Sequence, residues 1–170
     1  MKLLSDFRLL LLGLWLGAAC FLSFAVAPGA FAVLPSREAA GAIVNRTLAI
    51  VNYSGIVIGL ILLASSYIPK QNFSRVWLWI ERILLLVTTA ACAFGQFFIG
   101  LKLQTLRAAI GRPIEEIAAD DPLKIAFNDL HGQSVTVLSV AMIVAFIAFF
   151  LIARRARSFE NQIKTNVELD

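Results

Sequence analysis

The side chains in this chain that could do chemistry are few, and the most suggestive group is Asn128–Asp129–Leu130–His131–Gly132–Gln133–Ser134, which holds the only histidine. An imidazole is the one side chain that ordinarily titrates near neutral pH. On a helix, Asn128, His131 and Ser134 fall on one side, so the ring could share hydrogen bonds with both. Two uses follow: a proton carrier or ligand at a membrane surface, or a hydrogen-bonder that fixes the start of the apolar run Val135 to Ala153. Asn52 and Gln96 are polar groups deep inside other apolar runs, where an amide must face protein and not lipid. Soft-metal handling needs several His, Cys or Met residues at ligand spacing. Here one histidine, the separated Cys20 and Cys92, and the internal Met142 do not supply them. Both cysteines lie in apolar runs and read as small core residues, not as a disulfide. Bis-histidine haem ligation within one chain is excluded. There is no GxGxxG, no phosphate-binding P-loop and no Ser–His–Asp arrangement. No catalytic residue, metal ligand or cofactor is therefore assigned, and the reading leans away from an enzyme.

The elements that must position these groups are membrane spans. The 170-residue chain is 59% hydrophobic and 15% charged, with a mean hydropathy of +0.82. A soluble domain is roughly 25% charged, so lipid must solvate part of this surface. The net charge of +4 falls between apolar runs, and no basic face with interleaved aromatics points to nucleic acid. The first run, Leu9 to Ser36, is about 28 residues, or roughly 42 Å as helix, longer than the 7–15 residues of a signal-peptide core. Pro28 should kink it at the carbonyl of Phe24, Pro35 should end it, and Ser36 should cap the next helix. The second helix starts near Arg37 and enters hydrocarbon near Thr47. Asn45, Asn52, Gly59 and Ser66 recur every seven residues, and Gly55 pairs with Gly59 in a small-xxx-small motif. Gly13 and Gly17 repeat that motif in the first span. Both read as close-packing surfaces inside the bundle, with homo-oligomer formation as the alternative use.

Pro69 to Ser74 is a short loop, so spans two and three should be antiparallel neighbours. Trp77 and Trp79 suit the interface, with Arg75, Glu81 and Arg82 beside them as anchors. In span three, Thr89, Cys92 and Gln96 share a face. No expected span carries an ionised residue at its centre, which weakens an ion-coupled transporter. Beyond Gly100, Leu103, Leu106 and Ile110 keep an apolar face until Gly111–Arg112–Pro113 ends the helix. Asp121–Pro122 is a strong helix start, followed by Leu123, Phe127 and Leu130. Spans three and four should therefore project from the membrane as a helical hairpin. Lys2, Arg8, Lys70, Arg75, Arg82, Arg154, Arg155, Arg157 and Lys164 lie on one side, with Arg37, Arg46, Lys102, Arg107, Arg112 and Lys124 on the other. That bias puts both termini in the cytoplasm, with Arg154–Arg157 as the topology anchor.

Phe24–Ala25–Val26–Ala27–Pro28, Phe31, Leu34–Pro35 and Ala40–Gly41 form one segment, and Phe127 to Ser134 forms a second of pattern F-x-x-x-H-G/R-x-S. Together, over essentially the whole chain, they resemble the transmembrane protein 205-like family, whose bacterial members are catalogued as domain of unknown function 4149. The resemblance implies four spans in this order and gives weight to the His131 segment. It also implies a distant likeness to copper-resistance-D-like proteins and to bacterial haem-dependent protoporphyrinogen oxidases, from which this chain departs by lacking a second histidine.

The expectation is thus an all-α, four-helix transmembrane bundle over residues 1–157, with spans near 9–34, 47–68, 80–101 and 133–153, and a polar, loosely ordered cytoplasmic tail over 158–170. It would be a multi-pass protein of the cell membrane with the lipid bilayer as partner. A polar interior of Asn52, Gln96, Asn128, His131 and Ser134 would stabilise the bundle or bind a small molecule. The rivals are a haem- or metal-handling oxidoreductase using His131, and a small-solute transporter.

Overall fold

The computed structural model describes the backbone of residues 2–68 and 75–167 and the side chains of 3–68 and 75–155. Four long helices make up the molecule: α1 (Leu3–Val33), α2 (Arg37–Ser65), α3 (Arg75–Ile110) and α4 (Pro122–Val167). Each is long and apolar enough to cross a bilayer. A short 3-10 turn, Ile114–Glu116, interrupts the α3–α4 connection, and no strand occurs among the described residues. The loop from Pro69 to Ser74, and the expectation placed on it, lie outside the described residues.

The helix ends sit where local chemistry puts them. Leu34, before Pro35, is extended at φ −79° and ψ 146°, because a following proline disfavours helical backbone. The Ser36 hydroxyl then accepts from the Ala39 N–H at 3.1 Å and caps α2. Gly111 stops α3 with φ 63°, a left-handed conformation that costs glycine nothing, and its N–H reaches the Arg107 carbonyl at 3.2 Å. The Asp121 carboxylate accepts from the Leu123 N–H at 2.8 Å and starts α4 at Pro122. The disturbance expected at Pro28 takes the form of a π-helical turn, Leu22–Val26, in which the Ala27 N–H bonds the Leu22 carbonyl five residues back. The wider turn accommodates the donor that proline lacks. A second π-helical stretch, Gly95–Gly100, lies in α3.

Each helix packs on two neighbours, α1 and α3 both lying against α2 and α4. The buried positions follow a four-three spacing: Leu12, Trp15, Ala19 and Leu22 in α1; Leu85, Thr88, Cys92, Gly95 and Ile99 in α3; Ala141, Ala145, Ala148 and Ile152 in α4. A 3.5-residue repeat is the seam of a left-handed bundle. The small and polar stripe of α2 faces protein, as its spacing predicts. A β-carbon on Gly55 would lie 2.6 Å from both the Cys92 sulfur and the Trp15 indole nitrogen, and one on Gly59 would overlap the Thr89 hydroxyl. These glycines let α2 approach α3 more closely than any side chain would permit.

Two expectations are corrected. Gly17 is exposed, and a β-carbon there would meet nothing within 4 Å, so it is no packing surface of the bundle. The buried stripe of α1 runs through Trp15 and Ala19 and leaves Gly17 on the outer side; Gly13 touches only the edge of Phe149, at 3.4 Å from a β-carbon. The polar tail is not loose along its length, because α4 continues to Val167. An existing helix adds residues without a new nucleation cost. The expected outcome is that Gly59→Ala lowers the unfolding free energy in detergent by about 1–3 kcal/mol through overpacking against Thr89, whereas Gly17→Ala changes it by less than about 0.5 kcal/mol; thermal unfolding of the two variants side by side checks this.

Candidate functional site

The most concentrated polar chemistry lies at the end of the bundle where α1 and α3 begin. Glu81, in the second turn of α3, is 2% exposed. The Arg8 guanidinium of α1 donates to its Oε1 at 2.6 Å, and that of Arg155 in α4 donates to its Oε2 at 2.7 Å. Arg8 also donates to the Leu62 carbonyl of α2 at 3.1 Å. The Glu81 carboxylate therefore joins α3 to α1 and α4, across the diagonal in the first case, and Arg8 extends the link to α2. Beside it, Arg82 donates to the Ser66 hydroxyl at 3.1 Å and the Ser66 carbonyl at 2.9 Å, with its guanidinium 4.1 Å from the Tyr67 ring centre.

Read from sequence as residues beside the interfacial tryptophans and in the basic cluster after span four, Glu81 and Arg155 are in fact buried against each other at the end of the bundle. The signal was in the spacing: Arg8 continues Leu12–Trp15–Ala19, Glu81 continues Leu85–Thr88–Cys92, and Arg155 continues Ala145–Ala148–Ile152. Chemically, both carboxylate oxygens are engaged by guanidinium donors, and the cluster acts as an electrostatic clamp between helices.

The middle of the bundle is packed around isolated polar groups. The Trp15 indole N–H donates to the Val51 carbonyl at 2.9 Å, tying α1 to α2. Asn52 is buried with its amide toward Gly95, where a β-carbon would stand 3.5 Å from the amide nitrogen. Gln96 is only half-buried, because Gly95 takes the central position of the stripe. Cys92 is buried, Cys20 half-buried, and both are free thiols. A groove of about 800 Å³ runs along the outer face of α1 past Leu10, Gly13, Gly17, Phe21 and Phe149, and reaches neither Asn52 nor Gln96.

At the opposite end, α3 and α4 pack as the expected extended hairpin. The connecting segment folds back on the bundle: Glu115 accepts from the Arg37 N–H at 3.1 Å, and Lys124 donates to the Ile117 carbonyl at 2.7 Å. Arg107 lies over Gly41, with its guanidinium 5.3 Å from the Phe127 ring centre. His131 and Asn128 are exposed and Ser134 is buried. No hydrogen bond joins these three among the described residues, so the shared imidazole bonding expected from their spacing is not formed. The His131 ring instead lies parallel to Phe127, with centroids 6.5 Å apart. The five polar residues singled out by sequence therefore occupy two places, Asn52 and Gln96 at mid-bundle and the rest at the hairpin end.

Four apolar helices tied to one another through buried polar groups define a multi-pass integral membrane protein. Over residues 10–112 the chain matches the family described as Domain of unknown function (DUF4149), and it belongs to that family. No curated protein and no solved structure matches it. The matched region includes the first resembling segment, Glu81 and Arg107, and ends before Phe127.

Removing one member of a buried ion cluster strands the others and costs about 3–5 kcal/mol. Glu81→Ala, which strands two guanidiniums, should destabilise more than Arg8→Met, which leaves the Glu81–Arg155 pair. Replacing all three with apolar residues should recover most of the loss; thermal and denaturant unfolding of the three variants in detergent tests this order.

Proposed function

We propose that this is a non-enzymatic, multi-pass protein of the cell membrane, with both termini in the cytoplasm and its charge cluster at the cytoplasmic end. It works without haem or metal, and its interior polar groups hold helices together. The observation that carries this reading is how the buried ionic groups are used: Arg8, Glu81 and Arg155 are directed at one another across the helices. Close contacts at Gly55 and Gly59 support a packed interior over a solute path, since they fill the middle of the bundle beside Asn52. His131 belongs to the outer, hairpin end in this reading and serves as a surface group.

An absorbance spectrum and metal analysis of the detergent-purified full chain test this directly. The expected result is no Soret band and no stoichiometric metal. A Soret band that disappears in His131→Ala would replace this proposal with the haem-handling one. For the topology, a fluorescent-protein fusion at the C-terminus should be bright and a phosphatase fusion there inactive; the reverse pattern would place the charge cluster on the outer side.

A further inference from the structure

Arg107, like Arg8, carries a guanidinium with a shielded Nε that is unpartnered among the described residues, but unlike Arg8 it makes no ion pair with any described carboxylate. Glu115 of the fold-back segment accepts from the Arg37 N–H. A planar guanidinium can receive an oxyanion through two parallel N–H donors.

The surroundings are shaped for such a guanidinium. A β-carbon on residue 41 would lie 2.7 Å from Arg107 Nη2 and 3.8 Å from its Cζ, so glycine leaves the space the group occupies. Phe127 offers its ring face to the cation at 5.3 Å, an attraction that strengthens where water is excluded. His131 lies parallel to the same ring and is exposed beside it. The end of one resembling segment, Gly41, and the start of the other, Phe127, thus meet through a residue that belongs to neither.

Depth identifies the anion. With the span limits expected from the sequence, Thr47 for span two and Leu101 for span three, Gly41 and Arg107 each lie roughly 9 Å along the helix beyond the apolar core. Headgroups extend the bilayer by roughly 5–8 Å on each side. The Arg107 guanidinium, held against Gly41, therefore sits at the outer edge of the headgroup layer. The abundant oxyanion at that level is phosphate.

We propose that Arg107, seated on Gly41 and over Phe127 with His131 alongside, is a receptor for a phosphate group at headgroup depth, on the face of the membrane opposite the Arg8–Glu81–Arg155 cluster.

The test is native mass spectrometry of the full chain in neutral detergent, titrated with dioleoylphosphatidylglycerol, with phosphate-free dioleoylglycerol, and separately with inorganic phosphate. Phosphatidylglycerol should bind well below the concentration needed for dioleoylglycerol. Its affinity should fall about tenfold in Arg107→Gln, as expected for losing a charge-assisted pair, and less in His131→Ala. Gly41→Ala should weaken binding similarly while leaving the melting temperature unchanged, because the atom displaced is the mobile end of Arg107; this variant carries the test if Arg107→Gln fails to fold. Arg112→Gln, on the exposed turn beyond α3, should bind as the wild type. If inorganic phosphate binds with the same Arg107 and Gly41 dependence and the lipid does not, the site stands and its ligand is a soluble phosphate. Binding of neither, binding indifferent to Arg107 and Gly41, or an equal loss in Arg112→Gln overturns the proposal.

Discussion

A carboxylate held between two guanidiniums sets the frame of this molecule. In hydrocarbon, apolar side chains give helices no reason to prefer one another over lipid. Close packing and polar contacts must decide which helices associate and in what register. The Arg8–Glu81–Arg155 cluster does this at one end with unusual reach, because Arg8 and Glu81 join the diagonal helices α1 and α3 while the Leu62 carbonyl brings in α2. Desolvated charges are costly, so such a cluster adds less stability than its short distances suggest. What it supplies is discrimination: a slip of α1 or α4 by one position would leave a buried charge facing apolar side chains.

The two ends of the bundle use arginine in opposite ways. Near the termini, guanidiniums are matched to a carboxylate, to carbonyls and to a hydroxyl, and the helices there are cross-tied. At the hairpin end, Arg107 rests on an aromatic face and a glycine backbone. Between them lies a layer that holds the polar groups of Trp15, Asn52 and Thr89, in which Gly55, Gly59 and Gly95 set the spacing. The bundle is thus cross-tied at one end, and at the other it carries a guanidinium with no ion pair among the described residues.

Much of the fold is legible in the residues. Ser36, Gly111 and Asp121–Pro122 each mark a boundary through a local, near-neighbour effect, and each boundary is where those residues place it. The heptad of Asn52, Gly59 and Ser66 announces the face that α2 gives to protein. The charge cluster was harder to see because its members look like ordinary interfacial residues when each is read within its own helix. Only extending the buried stripes by one step, from Leu12 to Arg8, from Leu85 to Glu81 and from Ile152 to Arg155, brings them together. His131 misled for a related reason: neighbours at helical spacing share a side, but whether that side faces the bundle depends on the partner helix. Gly17 shows the same limit, since its motif is identical to that of Gly55–Gly59 while its helix turns it outward.

The π-helical stretch in α3 has a consequence for which residue meets the interior beyond it. Counting from Glu81 in alternating steps of four and three leads through Leu85, Thr88, Cys92, Gly95 and Ile99, and the next step would land on Lys102. The widened turn takes up one extra residue, so Leu103 is buried and Lys102 is outside, its ammonium 4.3 Å from the Phe98 ring centre. A single additional residue in the winding thus keeps an ammonium out of the seam. It also shifts the azimuth of the residues that follow on α3, where Arg107 lies over Gly41.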